Sequence, residues 1–192
     1  MREDRTDASP RRRELARRAY EYVLEHGLAE LSLRPLAEAI GTSAGVLMFL
    51  FGSKDGMVRA ILAEARADEL TMLDEVREAS VADLVAVAGN VWAWLAGPDH
   101  ARVLTLWVEA YGRSLGTTEG PLAGFAAQTV HDWLGVLNGK QDTDDGPDDS
   151  TDPLLSTAVL ALLRGSMLDL LATGERERVD AAFRESLRRL AS

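Results

Sequence analysis

Cysteine is absent from the 192-residue chain, which excludes disulfides, thiolate chemistry and any zinc site that depends on Cys ligands. A reducing cytoplasm is the simplest setting for such a chain. Met1 to Pro10 is charged and polar and lacks the apolar segment of a signal peptide. No apolar run reaches the ~18 residues that crossing a bilayer requires, so a soluble chain with no membrane partner is expected. Convincing strand-like alternation is missing throughout. The three histidines, His26, His100 and His131, are dispersed. The motifs H-E-x-x-H and G-x-S-x-G, the Walker loop and the dinucleotide fingerprint are all missing, so no catalytic residue and no cofactor is expected.

Positive charge is also scarce. The net charge of −10 argues against DNA as a partner if only the sum counts, because neutralising phosphates needs Lys and Arg. The distribution says otherwise. Residues 1–60 hold ten Lys and Arg against nine Asp and Glu, a balance of +1, whereas residues 61–192 hold eleven against twenty-two, a balance of −11. Five arginines between Arg11 and Arg18 form a local cationic patch, which suits either phosphates or a solvated helix face. The stretch Gln141 to Asp152 is rich in Asp, Thr, Ser and Gly and reads as a loop. A calcium loop would need ligands where Gln141 and Thr143 stand, so no metal is expected.

What the chain does have is helical periodicity. Residues 10–26 place Leu15, Ala19, Tyr22 and Val23 on one face, with Ser9 able to cap, Pro10 suited to the first turn and Gly27 able to end it. A short helix fits 33–40, with Ser32 as its cap, Leu36, Ala37 and Ile40 turned inward, and Gly41 as a left-handed stop. A third helix runs from Ala44 to Phe51, capped by Thr42 or Ser43, and three short helices at this spacing make a helix-turn-helix unit. From Lys54 to about Ala79, Val58, Leu62, Ala65, Met72 and Val76 mark a long amphipathic helix. Further helices fit 81–96, 100–114, 122–138, 153–173 and 176–190.

The segment from Arg12 to Ile61, which includes GLAELSLRPLAEAIGTSAGVLMFLFGSKDGMVRAIL, resembles the DNA-binding region of TetR-family regulators over roughly a quarter of the chain. The resemblance rests on an ordered set. Gly27 ends helix one, Ser32 opens helix two, and Leu36-Ala37 forms its core pair. Gly41-Thr42-Ser43 makes the turn, Gly45 and Leu47 lie in the third helix, and Phe51-x-Ser53-Lys54-Asp55 follows.

The resemblance implies a third helix that enters the major groove of operator DNA. Ser32, Thr42 and Ser43 would cap helices and point hydroxyls at the DNA backbone. Arg34 would reach a phosphate or a guanine edge, Lys54 a phosphate, and Ala44, Gly45, Val46 and Phe49 would lie nearest the base edges. Two positions depart from the family pattern: Met48 stands where an aromatic Tyr is usual, and Leu50 where a His or Tyr is usual. Either Met48, Phe49 or Leu50 touches thymine methyl groups, or Met48 and Leu50 enlarge the small module's core.

The resulting expectation is an all-α fold, with residues 1–54 as the three-helix DNA-binding module. A long helix joins it to a ligand-binding and dimerisation body over 55–192. In that body Trp92, Trp107, Tyr111 and Phe125, with Trp94 and Trp133, either line an effector pocket or fill core, and His100 and Glu109 are possible polar handles. Glu109 and Asp169 read by default as salt-bridge partners of Arg164 or Arg102. The helix over 153–173 is apolar nearly all round, which calls either for a second subunit, with 122–138 sharing that interface, or for a central place in the core. Two functions fit: a homodimeric repressor released from operator DNA by a small, largely apolar effector, or a helical small-molecule-binding or interaction protein with weak or no specific DNA binding.

Overall fold

The computed structural model describes residues 10–79, 83–138 and 152–192, and among these every regular element is a helix. The order is α1 Pro10–His26, α2 Leu33–Ala39, α3 Ala44–Phe51, α4 Lys54–Ala79, α5 Leu84–Leu95, α6 Ala101–Ser114, α7 Phe125–Leu137, α8 Pro153–Thr173 and α9 Arg176–Leu190, with a single 3-10 turn at Pro98–His100. The expected cap Ser9, the first residues of the helix expected at 81 and most of the acidic loop, with Gln141 and Thr143, lie outside the described residues.

Two compact units result: residues up to Glu69 with Thr105–Ala126, and Leu70–Leu104 with Ala127–Ser192. In the first, Leu15, Ala19, Leu36, Leu47, Met57, Ile61 and Ala110 are excluded from solvent, each large side chain worth about 1.5–3 kcal/mol. The ring expected on the inner face of α1 was Tyr22, but Tyr20 is the buried one, one residue after Ala19 and four after Ala16. Burial above all, then the charge of Asp68 and its hydrogen bond, pushes the Tyr20 phenol well above its ordinary range. Tyr22 instead stacks on His26, with ring centroids 4.1 Å apart.

Four of the five arginines of the run are engaged by their surroundings, and Arg13 is exposed. Arg11 and Arg18 pair with Glu14 at 2.9 and 3.0 Å, Arg17 reaches Asp68 at 2.9 Å, and Arg18 also donates to the Ile40 carbonyl. Arg12 donates to the Leu50 carbonyl at 3.3 Å while its guanidinium lies 5.0 Å from the centre of the Phe51 ring. Arg12 thus braces α1 against α3, Arg17 against α4 and Arg18 against the end of α2, which takes up much of the cationic patch.

In the second unit α5, α8 and α9 pack on one another. Asp83 and Asp152 cap α5 and α8 by accepting from the N–H groups of Val85 and Leu154 at 3.1 and 2.9 Å, and Gly174 at φ +69° turns the chain from α8 into α9. Trp92 stacks on Phe183 at 4.7 Å and donates its indole N–H to Asp180 at 2.9 Å. Asp169 pairs with Arg178 rather than with Arg164 or Arg102, at 2.6 Å. The helix expected from 122 begins at Phe125, because Gly124 at φ +76° cannot continue the geometry.

An 18-residue window of the 21-residue α8 has a mean hydropathy of 1.6, which meets the length and composition of a bilayer span although charged residues interrupt its apolar run. It carries Arg164 and Asp169 within that length, and it lies against α5 and α9.

Candidate nucleic-acid interface

The turn between α2 and α3 is forced by Gly41, whose φ of +71° is the left-handed region that side chains with a Cβ rarely adopt. The Thr42 N–H donates back to the Ala37 carbonyl at 2.8 Å, so α3 leaves at an angle of 107° to α2. That angle is the one two helices take in a helix-turn-helix.

Ser43 opens α3 and its hydroxyl accepts the Val46 N–H at 3.2 Å, which leaves the hydroxyl proton for another acceptor. Ser32 occupies the corresponding place before α2 in extended backbone but makes no capping bond, so its expected capping role is not seen and its hydroxyl is uncommitted. Ser53 caps α4 by accepting from the Gly56 N–H at 2.9 Å, and Lys54 is the exposed first residue of that helix. Arg34 is exposed in the first turn of α2, and neither it nor Lys54 takes part in an ion pair among the described residues.

Along α3 the inner side is Leu47 and Phe51, which are buried. The outer side is Gly45, Val46, Met48 and Phe49, with Phe49 80% exposed and Met48 45% exposed. Met48 therefore does not enlarge the module's core. Leu50 is half-buried, and its carbonyl is the acceptor for Arg12.

The residues expected to meet an effector fall in different places. In the first unit Trp107 is buried on α6, Tyr111 is half-buried one turn later, and Phe125 is half-buried at the start of α7. Glu109 turns to the N-terminal three-helix module: its carboxylate accepts the Leu28 N–H at 2.9 Å and pairs with Arg113 at 3.4 Å, not with Arg102 or Arg164. Sequence spacing gave no sign of that contact, which spans 81 residues of chain. In the second unit Trp92 is buried in the core, and His100 stacks on Trp94 at 3.8 Å with Nδ1 2.7 Å from the Trp94 carbonyl, which implies the proton on Nδ1. A surface cleft of about 550 Å³ in the first unit lies against Tyr22, His26 and Gly41 and is lined by none of the six. No cluster of metal-ligating side chains occurs among the described residues.

Residues 14–61 match the family described as bacterial regulatory proteins, tetR family. HTH-type transcriptional regulators of Mycobacterium tuberculosis and Mycobacterium bovis are 31% identical over 125 residues, covering 61% of this chain and 50% of theirs. The chain thus spans about half the length of the curated relatives it matches. Among solved structures, a TetR-family transcriptional regulator from Rhodococcus superposes with a TM-score of 0.70 at 18% identity, over 96% of this chain and 100% of that one. The multidrug binding protein EbrR, complexed with proflavin, gives a TM-score of 0.65 at 26% identity over 94% and 99% of the two chains.

Proposed function

We propose that the chain, whose residues 14–61 match the tetR family of bacterial regulatory proteins, is a cytoplasmic, homodimeric regulator of that family that binds operator DNA through α3 and is released by a small, largely apolar effector. The observation that carries the reading is the uncovered outer face of α3. An exposed Phe and Met beside the Ser43 cap, flanked by Arg34 and Lys54, which form no ion pair among the described residues, suit a groove edged by phosphates. Ser32, Thr42 and Ser43 would serve the backbone, and Ala44, Gly45, Val46 and Phe49 the bases.

The effector is assigned to the helical body, with Trp107, Tyr111 and Phe125 as its rings in the first unit. EbrR is described in complexes with proflavin and ethidium, both flat aromatic cations, and the −11 balance of residues 61–192 favours ligands of that charge. The helix that bears Trp107 and Tyr111 also bears Glu109, which holds the Leu28 N–H just before α2. Displacement of α6 by a ligand would thus pull on the helix-turn-helix directly. Inverting a 99:1 population would require the ligand to favour the released state about 10⁴-fold.

Homodimerisation is assigned to α8. Leu154, Ala158, Ala161, Gly165, Leu168 and Ala172 recur at alternating intervals of four and three, which aligns them on one face, and all but the half-exposed Ala158 are exposed. The expected contribution of 122–138 has less support, since α7 presents Gln128 and His131 to solvent.

Fluorescence anisotropy of the full chain with DNA from its own upstream region, against scrambled DNA over a salt series, tests the reading. Sequence-selective binding that survives near-physiological salt is expected. Equal, weak and salt-erased binding to both duplexes would favour a helical small-molecule binder without operator recognition. Dye fluorescence with proflavin, in the absence of DNA, tests the effector assignment.

A further inference from the structure

The outward surface of α3 has a chemical peculiarity. From Ala44 to Phe51 the side chains are Ala, Gly, Val, Leu, Met, Phe, Leu and Phe, so the helix contains no side-chain hydrogen-bond donor and only the weak thioether acceptor of Met48. Of the four bases, adenine, guanine and cytosine present only donors and acceptors in the major groove, while thymine adds a 5-methyl group. A helix without polar side chains has only that methyl to recognise.

Burial strengthens the point. Phe49 is 80% exposed, Met48 45% and Val46 38%, and Gly45 beside them leaves room for close approach. Around this apolar patch the polar groups stand off the helix body, in Thr42 and Ser43 before it, Lys54 after it and Arg34 on α2. The patch would also reject other bases: a cytosine amino group or adenine amino group placed against Phe49 would lose water without gaining a partner.

We propose that this regulator reads its operator by apolar contact with thymine 5-methyl groups, made by Phe49 and Met48 with Val46 at the edge, and not by hydrogen bonds from the recognition helix. The proposal rests on the DNA-binding reading above and specifies the base feature that reading leaves open. The operator half-site then carries thymines facing α3, and its sequence selectivity resides in their methyl groups.

The test uses the full chain and a fluorescein-labelled duplex enriched from a random-sequence pool by repeated selection on that protein. Each thymine of the half-site is replaced in turn by deoxyuridine, which keeps every hydrogen-bonding group and removes only the methyl. At the contacted positions a loss of about fourfold per methyl is expected, from the transfer free energy of one such group. Restoring bulk at the same carbon with 5-bromodeoxyuridine should recover the affinity. In Phe49→Ala, whose side chain is exposed and outside the core, the deoxyuridine penalty at the Phe49 position should disappear. Selective binding that is indifferent to deoxyuridine at every position overturns the methyl reading and leaves the DNA reader intact. A penalty that persists unchanged in both Phe49→Ala and Met48→Ala also overturns it. Failure of any sequence to be enriched overturns the DNA reader, and the methyl reading with it.

Discussion

Gly56 sits in the first turn of α4, where glycine is ordinarily a weak choice that costs a helix about 0.5–1 kcal/mol relative to alanine. Here a Cβ would fall on the Phe51 carbonyl oxygen, at the point where the last residue of α3 meets the start of α4. The same turn is tied by the Ser53 hydroxyl to the Gly56 N–H. Gly56→Ala, a substitution that stabilises most helices, is therefore expected to destabilise this one by about 1–3 kcal/mol, the usual cost of forcing atoms into a filled space. Chemical denaturation of the full chain measures it, and equal or greater stability of the variant would show that the α3–α4 junction yields. Arg12 acts on the same junction from the other side, through the Leu50 carbonyl and the Phe51 ring, so the outward aim of Phe49 is fixed in part from α1.

At the scale of elements, α9 is held on α8 by charge as well as by its apolar face. Arg178 binds both oxygens of Asp169 and also meets Glu175, and Val179, Phe183 and Leu187 are buried beneath. The hydrogen bonds from Arg178 hold the Asp169 carboxyl below the usual carboxylate range, and those from Arg188 and Arg189 do the same for Glu185. A carboxylate with a depressed folded-state pKa adds stability above its unfolded pKa and loses it as pH falls through the folded value. Melting temperature should accordingly decline below about pH 4. Asp169→Asn should make that decline shallower, by a small amount because the pair is solvent-exposed. A melting curve in Asp169→Asn with unchanged acid dependence would remove this pair from the account.

The partners in such pairs are where sequence reading stopped. Helix ends were legible because Gly27, Gly41 and Gly174 each take positive φ where a helix stops, and because apolar spacing in α4 named Val58, Leu62, Ala65, Met72 and Val76, all buried. Choosing Tyr22 over Tyr20 failed because two rings two residues apart both flank the stripe, and only the neighbouring helices decide between them. The outward face of α3 was legible at Gly45, Val46 and Phe49 and ambiguous at Met48 and Leu50. The Glu109 contact with the Leu28 N–H was illegible, since a bond to a backbone group across 81 residues leaves no mark in composition or periodicity.

At the scale of the whole molecule, operator binding by paired half-sites needs two copies of α3, and the exposed stripe of α8 is the surface proposed to bring them together. Gly165 lies in the middle of that stripe, and a Cβ added there meets nothing within 4 Å of its own chain. A larger residue at 165 is thus free of clash in the subunit and should even favour the helix, by about 0.5–1 kcal/mol for Gly165→Ala. Across a close two-fold contact the same residue would push the helices apart, and Leu154 and Leu168 at either end could no longer meet their counterparts. Sedimentation equilibrium of Gly165→Leu should therefore show weakened association while circular dichroism shows an intact helical fold. A variant that remains a dimer at the wild-type concentration would exclude Gly165 from the contact. If Leu168→Asp also left association unchanged, the stripe itself would have to be abandoned as the seam. Loss of association with loss of selective DNA binding, and with proflavin affinity preserved, would show that pairing serves the operator and not the effector.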